Sequence, residues 1–320
     1  MRILILKLAS MGDLIHLLPA LTDAQTAYPN ATFDWVIDKN FSQIASWHPA
    51  IDKKIITNHR YWRSNLTKKS TYLQISDMIQ EIKKSSYDLV IDAQGNLKTA
   101  LLSLFTSGKK VGWDASSIPE WGAHLFYDQK VKASKQDHAI TRIRTLFAQA
   151  LDYKEPTTFP SYNIDISQFT PPSCPLPSSY LVFVANASQE SKLWPIASWK
   201  SLLQETIKLN IPILLPWGNE KERKQAEELS LCCNHAIVLP KLSLAEIGHV
   251  LLHAKAVVSM DTGLSHIAAA LDIPTITLYG PTDPSLTGTV GKHQIHVYSS
   301  THSLSSVKVS CVLDHLLELA

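Results

Sequence analysis

Residues 259–284, SMDTGLSHIAAALDIPTITLYGPTDP, decide how this 320-residue chain is read. The run that leads into them, Ala256–Met260 (AVVSM), is short, apolar and β-branched, as suits a strand buried on both faces. Asp261-Thr262-Gly263 interrupts it, and Leu264, Ile267, Ala268 and Leu271 then recur at helical spacing until Pro274. Thr275–Tyr279 (TITLY) begins a second buried strand. The unit is strand, turn, helix, strand, with a glycine where the chain enters the helix. Unpaired N–H groups at such an end carry positive partial charge and can hold a phosphate without a lysine. Asp261 stands at a strand's carboxyl end, where open α/β sheets place ligand contacts. Asp261 or Thr262 can equally cap the helix. A second polar turn at 280–284 (GPTDP) ends the next strand, and two such loops on one sheet edge favour a ligand site.

Working outward, residues 2–8 (RILILKL) read as a buried strand and 9–13 (ASMGD) as a loop with glycine at its tight point. A helix follows with Leu14, Ile15, Leu18 and Leu21 on one face; Pro19 either bends it or marks its true start. Further strands are expected at 33–38, 53–57, 87–92 and 109–113, and helices at 41–47, 72–84, 97–105 and 138–151. Alternation of this kind implies a parallel sheet. It lapses between 152 and 179, where Pro156, Pro160, Pro171, Pro172, Pro175 and Pro177 fall among serines and threonines. It restarts with strands at 180–185, 212–216, 236–239, 256–260, 275–279 and 294–298 and helices at 198–209, 221–231 and 244–253. The expectation is an α/β protein of two Rossmann-like, doubly wound lobes facing a cleft: residues 1–155, a proline-rich linker 156–179, and residues 180–320. The last helix, 306–319, can pack on either lobe.

A formal charge of +2 gives no case for nucleic acid. Cys174, Cys232, Cys233 and Cys311 lack metal or redox spacing and read as packing thiols of a reducing compartment. No apolar run reaches the ~18 residues of a membrane span, and the apolar start is too short for a signal peptide, so a cytoplasmic protein is expected. With 11 glycines the chain holds no G-x-G-x-x-G and no G-x-x-x-x-G-K, which disfavours nicotinamide and P-loop enzymes. No two aspartates stand two apart, so the D-x-D cation clamp is missing. His249 and His253 have the i,i+4 spacing of zinc ligands without a third, and no metal or cofactor is expected.

Asp13 follows a strand end and a glycine. It is either a cap of the helix it begins or a carboxylate base taking a proton from a hydroxyl. Residues 92–95 (DAQG) repeat this chemistry on a neighbouring loop. Lys192, in 189–195 (QESKLWP), either neutralises a departing phosphate or is plain surface. Glu222 begins the helix after Pro216-Trp217-Gly218 and either caps it or binds ribose hydroxyls. Arg60 and Arg63 bracket Tyr61-Trp62, with Lys68-Lys69 beyond. Such runs are commonly solvated charge, yet arginine interleaved with aromatics also suits an acidic, partly apolar ligand near a membrane.

Taken together, 6–24 (LKLASMGDLIHLLPALTDA), 33–38 (FDWVID), 92–102 (DAQGNLKTALL), 191–199 (SKLWPIASW), 215–223 (LPWGNEKER) and 259–284 resemble the ADP-heptose:lipopolysaccharide heptosyltransferase family nearly end to end. The wording of 18–24 and 33–35 is closer to the member adding the first heptose than to the one adding the second. The resemblance implies a GT-B fold and metal-free, inverting transfer of heptose from ADP-heptose to the Kdo residue of Kdo2-lipid A. It further implies a cytoplasmic protein peripherally attached to the inner leaflet. Asp13 would be the base and Lys192 the lysine at the diphosphate. Ser188, Glu222, Asp261, Thr262, Gly263 and His266 would line the donor site, and Ser10, Gly12, Arg60, Trp62, Arg63 and Gln94 the acceptor side. Ala187-Ser188 replaces the family's frequent Thr-Thr pair, and Tyr61 and Ser64 stand where more positive charge is expected. The alternatives are a two-lobed nucleotide-sugar epimerase, in which the Arg60–Arg63 segment would be idle, and a solute-binding protein, which would need export.

Overall fold

The computed structural model describes residues 1–299 and 301–319. They form two compact units, Met1–Asp165 and Ile166–Ala320. The first holds β1 (Arg2–Leu6), β2 (Thr32–Asp38), β3 (Ile51–Thr57), β4 (Leu89–Asp92), β5 (Lys109–Trp113) and β6 (Gln129–Val131) in one parallel sheet, ordered β3-β2-β1-β4-β5-β6. The second holds β7 (Leu181–Val184), β8 (Ile213–Leu215), β9 (Ala236–Val238), β10 (Ala256–Met260), β11 (Thr275–Tyr279) and β12 (Gln294–Tyr298), ordered β12-β11-β10-β7-β8-β9. Each sheet therefore runs outward from its first strand, returns, and runs out the other way from its fourth. The loops after β1 and β4 leave side by side, because Leu6 pairs with Asp92; so do those after β7 and β10, where Val184 pairs with Ser259. Such reversal points are where doubly wound sheets bind ligands.

The central strands are apolar on both faces, and Ile3–Leu6 and Ala256–Val258 are fully buried. Pro19 marks a true start: one helix is Met11–Ile15, and a second, Leu18–Ala27, carries the proline in its first turn, where a missing N–H costs nothing. Gly95, at φ +71°, follows β4; an added Cβ would come within 2.8 Å of Trp113 and Pro119. The strand Gln129–Val131 and the helix His59–Ser64 were not expected, since three and six residues are too few to show a period.

Residues 156–179 form no strand or α-helix but are tied down along their length. Arg144 donates to Thr158 O, Asp165 N donates to Trp47 O at 2.7 Å, and Tyr162 is buried, all within the first unit. Beyond the division, Phe169 packs on Gly248, where any Cβ would lie 2.5 Å from its ring. The last helix, Val309–Leu319, packs on the helix Ile196–Glu205 and on β10 and β11 through Val312, Leu313 and Leu316. It belongs to the second unit.

Candidate functional site

In the first unit the loops after β1 and β4 are tied together. Gln94 Oε1 accepts from the amides of Leu8 (3.0 Å) and Ala9 (3.3 Å), while Gln94 N and Gly95 N donate to Asp92 Oδ1. Ser10 donates to Asp13 Oδ2 through both its amide (2.8 Å) and its hydroxyl (2.6 Å). Asp13, half-buried in the first helical turn, thus does cap its helix, and the same bonds fix its carboxylate in direction. Behind it lies Lys7, buried, donating from Nζ to Ala93 O at 3.0 Å. Burial pushes the Lys7 ammonium below its usual value, against the pull of Asp13 and Asp92. Burial raises Asp92 in turn, opposed by the Gly95 amide and by Tyr127 Oη, which donates to it at 2.7 Å. Lys7 was read only as strand; in a sequence nothing separates it from a strand-end lysine reaching water.

The helix His59–Ser64 puts Arg60 and Arg63, three apart, on one exposed side. Trp62 turns the other way: it is buried with Leu6, Val36 and Met78, and its Nε1 donates to Gln74 Oε1 at 2.8 Å. Trp62 thus packs into the interior of the first unit, with its indole N–H already engaged. The structure adds Lys98, on the helix Leu97–Ser103. Partial burial, and then repulsion from Arg63, hold Lys98 below the usual lysine value. His59 joins the group, its Nδ1 2.8 Å from Asp38 Oδ2. Its pKa is lowered by burial and by Lys98. The result is one crowded cationic cluster of Arg60, Arg63 and Lys98, with His59 beside it.

In the second unit Lys192 Nζ meets Asp261 Oδ2 at 2.5 Å, and His266 Nε2 lies 3.7 Å from Asp261 Oδ1. Burial works against the Asp261 charge, but hydrogen bonds with His266, Lys192 and Thr282 outweigh it and bring its pKa down to about 2. Asp261 is no cap: Thr262 is the N-cap of Gly263–Ala270, with Ser265 Oγ donating to Thr262 O. Glu222 goes the other way. Its carboxylate accepts from Gly218 N (2.7 Å) and Asn219 Nδ2 (2.6 Å), closing the turn before its own helix. It also lines, with Ser188, Asn186 and Gln225, a polar recess. Asn186, missed in the sequence, is buried; its Nδ2 donates to Pro216 O and its Oδ1 finds no hydrogen-bond partner among the described residues. His249 and His253 stack at 4.3 Å, and among the described residues no three metal-ligating side chains gather.

Two loop clusters on sheet switch points, one with a held carboxylate and one with a lysine, carboxylate and helix start, are equipment for group transfer from a phosphorylated donor. Residues 75–317 match the family described as glycosyltransferase family 9 (heptosyltransferase). The chain belongs to glycosyltransferase family 9. Within the family it is 42% identical to lipopolysaccharide heptosyltransferase 1 of Pseudomonas aeruginosa, over 97% of this chain and 87% of that one. It is 41% identical to lipopolysaccharide heptosyltransferase 1 of Escherichia coli K12 over the whole of both chains. Its fold superposes on the E. coli heptosyltransferase WaaC solved with ADP at TM-score 0.93, with 41% identity and full coverage of both. The same protein with ADP-2-deoxy-2-fluoro heptose gives 0.90 at 40% identity, again with full coverage of both. A family 9 chain is a glycosyltransferase, and the GT-B-like arrangement of two parallel sheets in two lobes agrees with it. Likeness to a UDP-N-acetylglucosamine 2-epimerase, at 10% identity and TM-score 0.55, extends to the fold alone.

Proposed function

We propose that this chain transfers L-glycero-D-manno-heptose from ADP-heptose to the Kdo residue of Kdo2-lipid A, inverting the sugar carbon, at the cytoplasmic face of the inner membrane. The observation that supports it most is full-length likeness to a heptosyltransferase solved with ADP and with an ADP-heptose analogue. No described helix is long and apolar enough to cross a membrane, so attachment would be peripheral.

On this reading Asp13 accepts the proton of the acceptor hydroxyl as its oxygen bonds to the anomeric carbon. The bond from that carbon to the diphosphate oxygen breaks, and ADP departs with the electron pair. Lys192, already charge-paired with Asp261, and the amides of Thr262 and Gly263 take up the charge that grows on the diphosphate. Asp261 holds heptose hydroxyls, and His266 lines the donor site beside it. Ser188 and Glu222, with Asn186 added, line the nucleoside end. Ser10, Gly12 and Gln94 shape the loop that presents Asp13, and Arg60, Arg63 and Lys98 meet the anions of the acceptor.

Purified protein is incubated with ADP-heptose and a water-soluble Kdo acceptor, and the products are weighed. A gain of one heptose residue, matched by released ADP, is the expected result. Unchanged acceptor, or epimerised donor formed without acceptor, overturns the proposal.

A further inference from the structure

The helix Leu97–Ser103 is built inside out. It buries Thr99, Ala100 and Ser103, and it exposes Leu97 together with Leu101 at 48% and, just past its end, Leu104 at 53%. These leucines stand at i, i+4 and i+7, the stripe that a surface helix normally turns to the core. The turn Ala123–Phe126 packs beside the helix and extends the surface with Trp121, 76% exposed, and Leu125, 66% exposed. Apolar groups this contiguous and this exposed mark an interaction surface rather than scattered surface leucines.

Its rim is cationic. Lys83 Nζ lies 5.6 Å over the ring of Phe105, itself exposed, and Lys98 links the helix to Arg63 and Arg60. The neighbouring acid, Glu120, spends one carboxylate oxygen on the Leu97 amide, at 3.0 Å, at the positive end of the helix. Leucines and a tryptophan rimmed by lysine and arginine are complementary to one kind of partner. The side chains enter the boundary between headgroups and acyl chains while the cations meet lipid phosphates.

We propose that Leu97, Leu101, Leu104, Phe105, Trp121 and Leu125 form the face that docks this chain on an anionic phospholipid bilayer. This deepens, and rests on, the reading that the acceptor is carried by a lipid. Docking through this face sets Arg60, Arg63 and Lys98 at headgroup level, where an acceptor anchored in the same leaflet presents its charges.

The test is sedimentation of the full chain with phosphatidylcholine vesicles, with and without phosphatidylglycerol. Wild type should bind the anionic vesicles, and the L101S/L104S double variant and Trp121→Ser should each bind ~10-fold or more weakly. Both variants should transfer heptose to a water-soluble acceptor at the wild-type rate, which checks their folding. Failure of wild type to bind anionic vesicles overturns the proposal, as does unchanged binding by both variants. A wild-type dimer that L101S/L104S turns into monomer also overturns it and assigns the face to a second copy. Vesicle binding that needs these residues, in a protein inert toward the soluble acceptor, upholds the docking face while the reaction reading falls.

Discussion

Lys192 Nζ lies 2.5 Å from Asp261 Oδ2, bringing together the loops after β7 and β10 from 69 residues apart in sequence. A diphosphate arriving there competes with Asp261 for the ammonium, so the lysine is held in place before it is needed. Lys192→Ala should therefore lower turnover by ~100-fold or more, as loss of a group that stabilises growing charge does. Steady-state rates measured with and without EDTA check it. A variant as active as wild type, or one rescued by magnesium, assigns the leaving group to other hands.

Asp13→Asn should cut turnover by ~100-fold or more while leaving ADP affinity intact, because a base acts only on the chemical step. Calorimetric titration with ADP alongside rate measurement separates the two effects. Wild-type turnover in this variant removes Asp13 from the base role.

Gln94→Ala tests the support of the Asp13 loop rather than its chemistry. Losing Gln94 Oε1 releases the amides of Leu8 and Ala9, and misplacement of a nearby reacting group should lower kcat by ~10-fold or more. Gln94→Glu keeps an acceptor at that position and should recover most of the loss. Equal rates in both variants would show that the tie is not used.

Arg60→Ala, Arg63→Ala and Lys98→Ala should each raise the KM for a Kdo acceptor without changing donor affinity. Added salt should do the same, since partly exposed pairs are screened beyond ~8 Å at physiological ionic strength. The Lys98 variant is the sharper probe, because its place beside Arg63 is structural information. An unchanged acceptor KM in all three dismisses the cluster as an acceptor contact.

His48 makes the first unit sensitive to mild acid. It is buried, its Nδ1 accepts from Ala50 N at 3.2 Å, and burial brings its pKa from 6.5 down to about 4. The unfolded chain takes up a proton that the folded one refuses. The stability this gives is fully present above the unfolded value and is lost as pH falls from 6.5 towards 4. Between about pH 7 and about pH 5 the loss is roughly 2 kcal/mol. Urea melts at the two values check it, and His48→Gln should flatten the difference.

The sheets were legible because β-branched runs and helical spacing alternate over nearly the whole chain. Asp261 was legible for the same reason: a polar residue directly after five buried ones has few other uses. The surroundings of Trp62 were not legible, because Arg-Tyr-Trp-Arg looks alike as a loop and as a helix. Only the helix, with Arg60 and Arg63 three apart, sends the indole to the opposite side. Lys7 and Lys98 went unremarked because their surroundings are made by residues far away in sequence: Ala93 for one, Arg63 for the other. Glu222 was assigned two alternatives, and the structure shows it closing its own turn while lining the recess.

The same strand order used twice has a consequence for how such a chain changes over time. Each unit has its own hydrophobic interior, and each carries its polar loops after its first and fourth strands. Replacements in the helix His59–Ser64, which follows β3, alter the first unit and leave the framework of the second alone. Replacements at Ala187 or Ser188 would be of the other kind, confined to the loop after β7. On the proposed function, tuning for a new sugar acceptor and tuning for the nucleotide donor accumulate as separate histories within a single polypeptide.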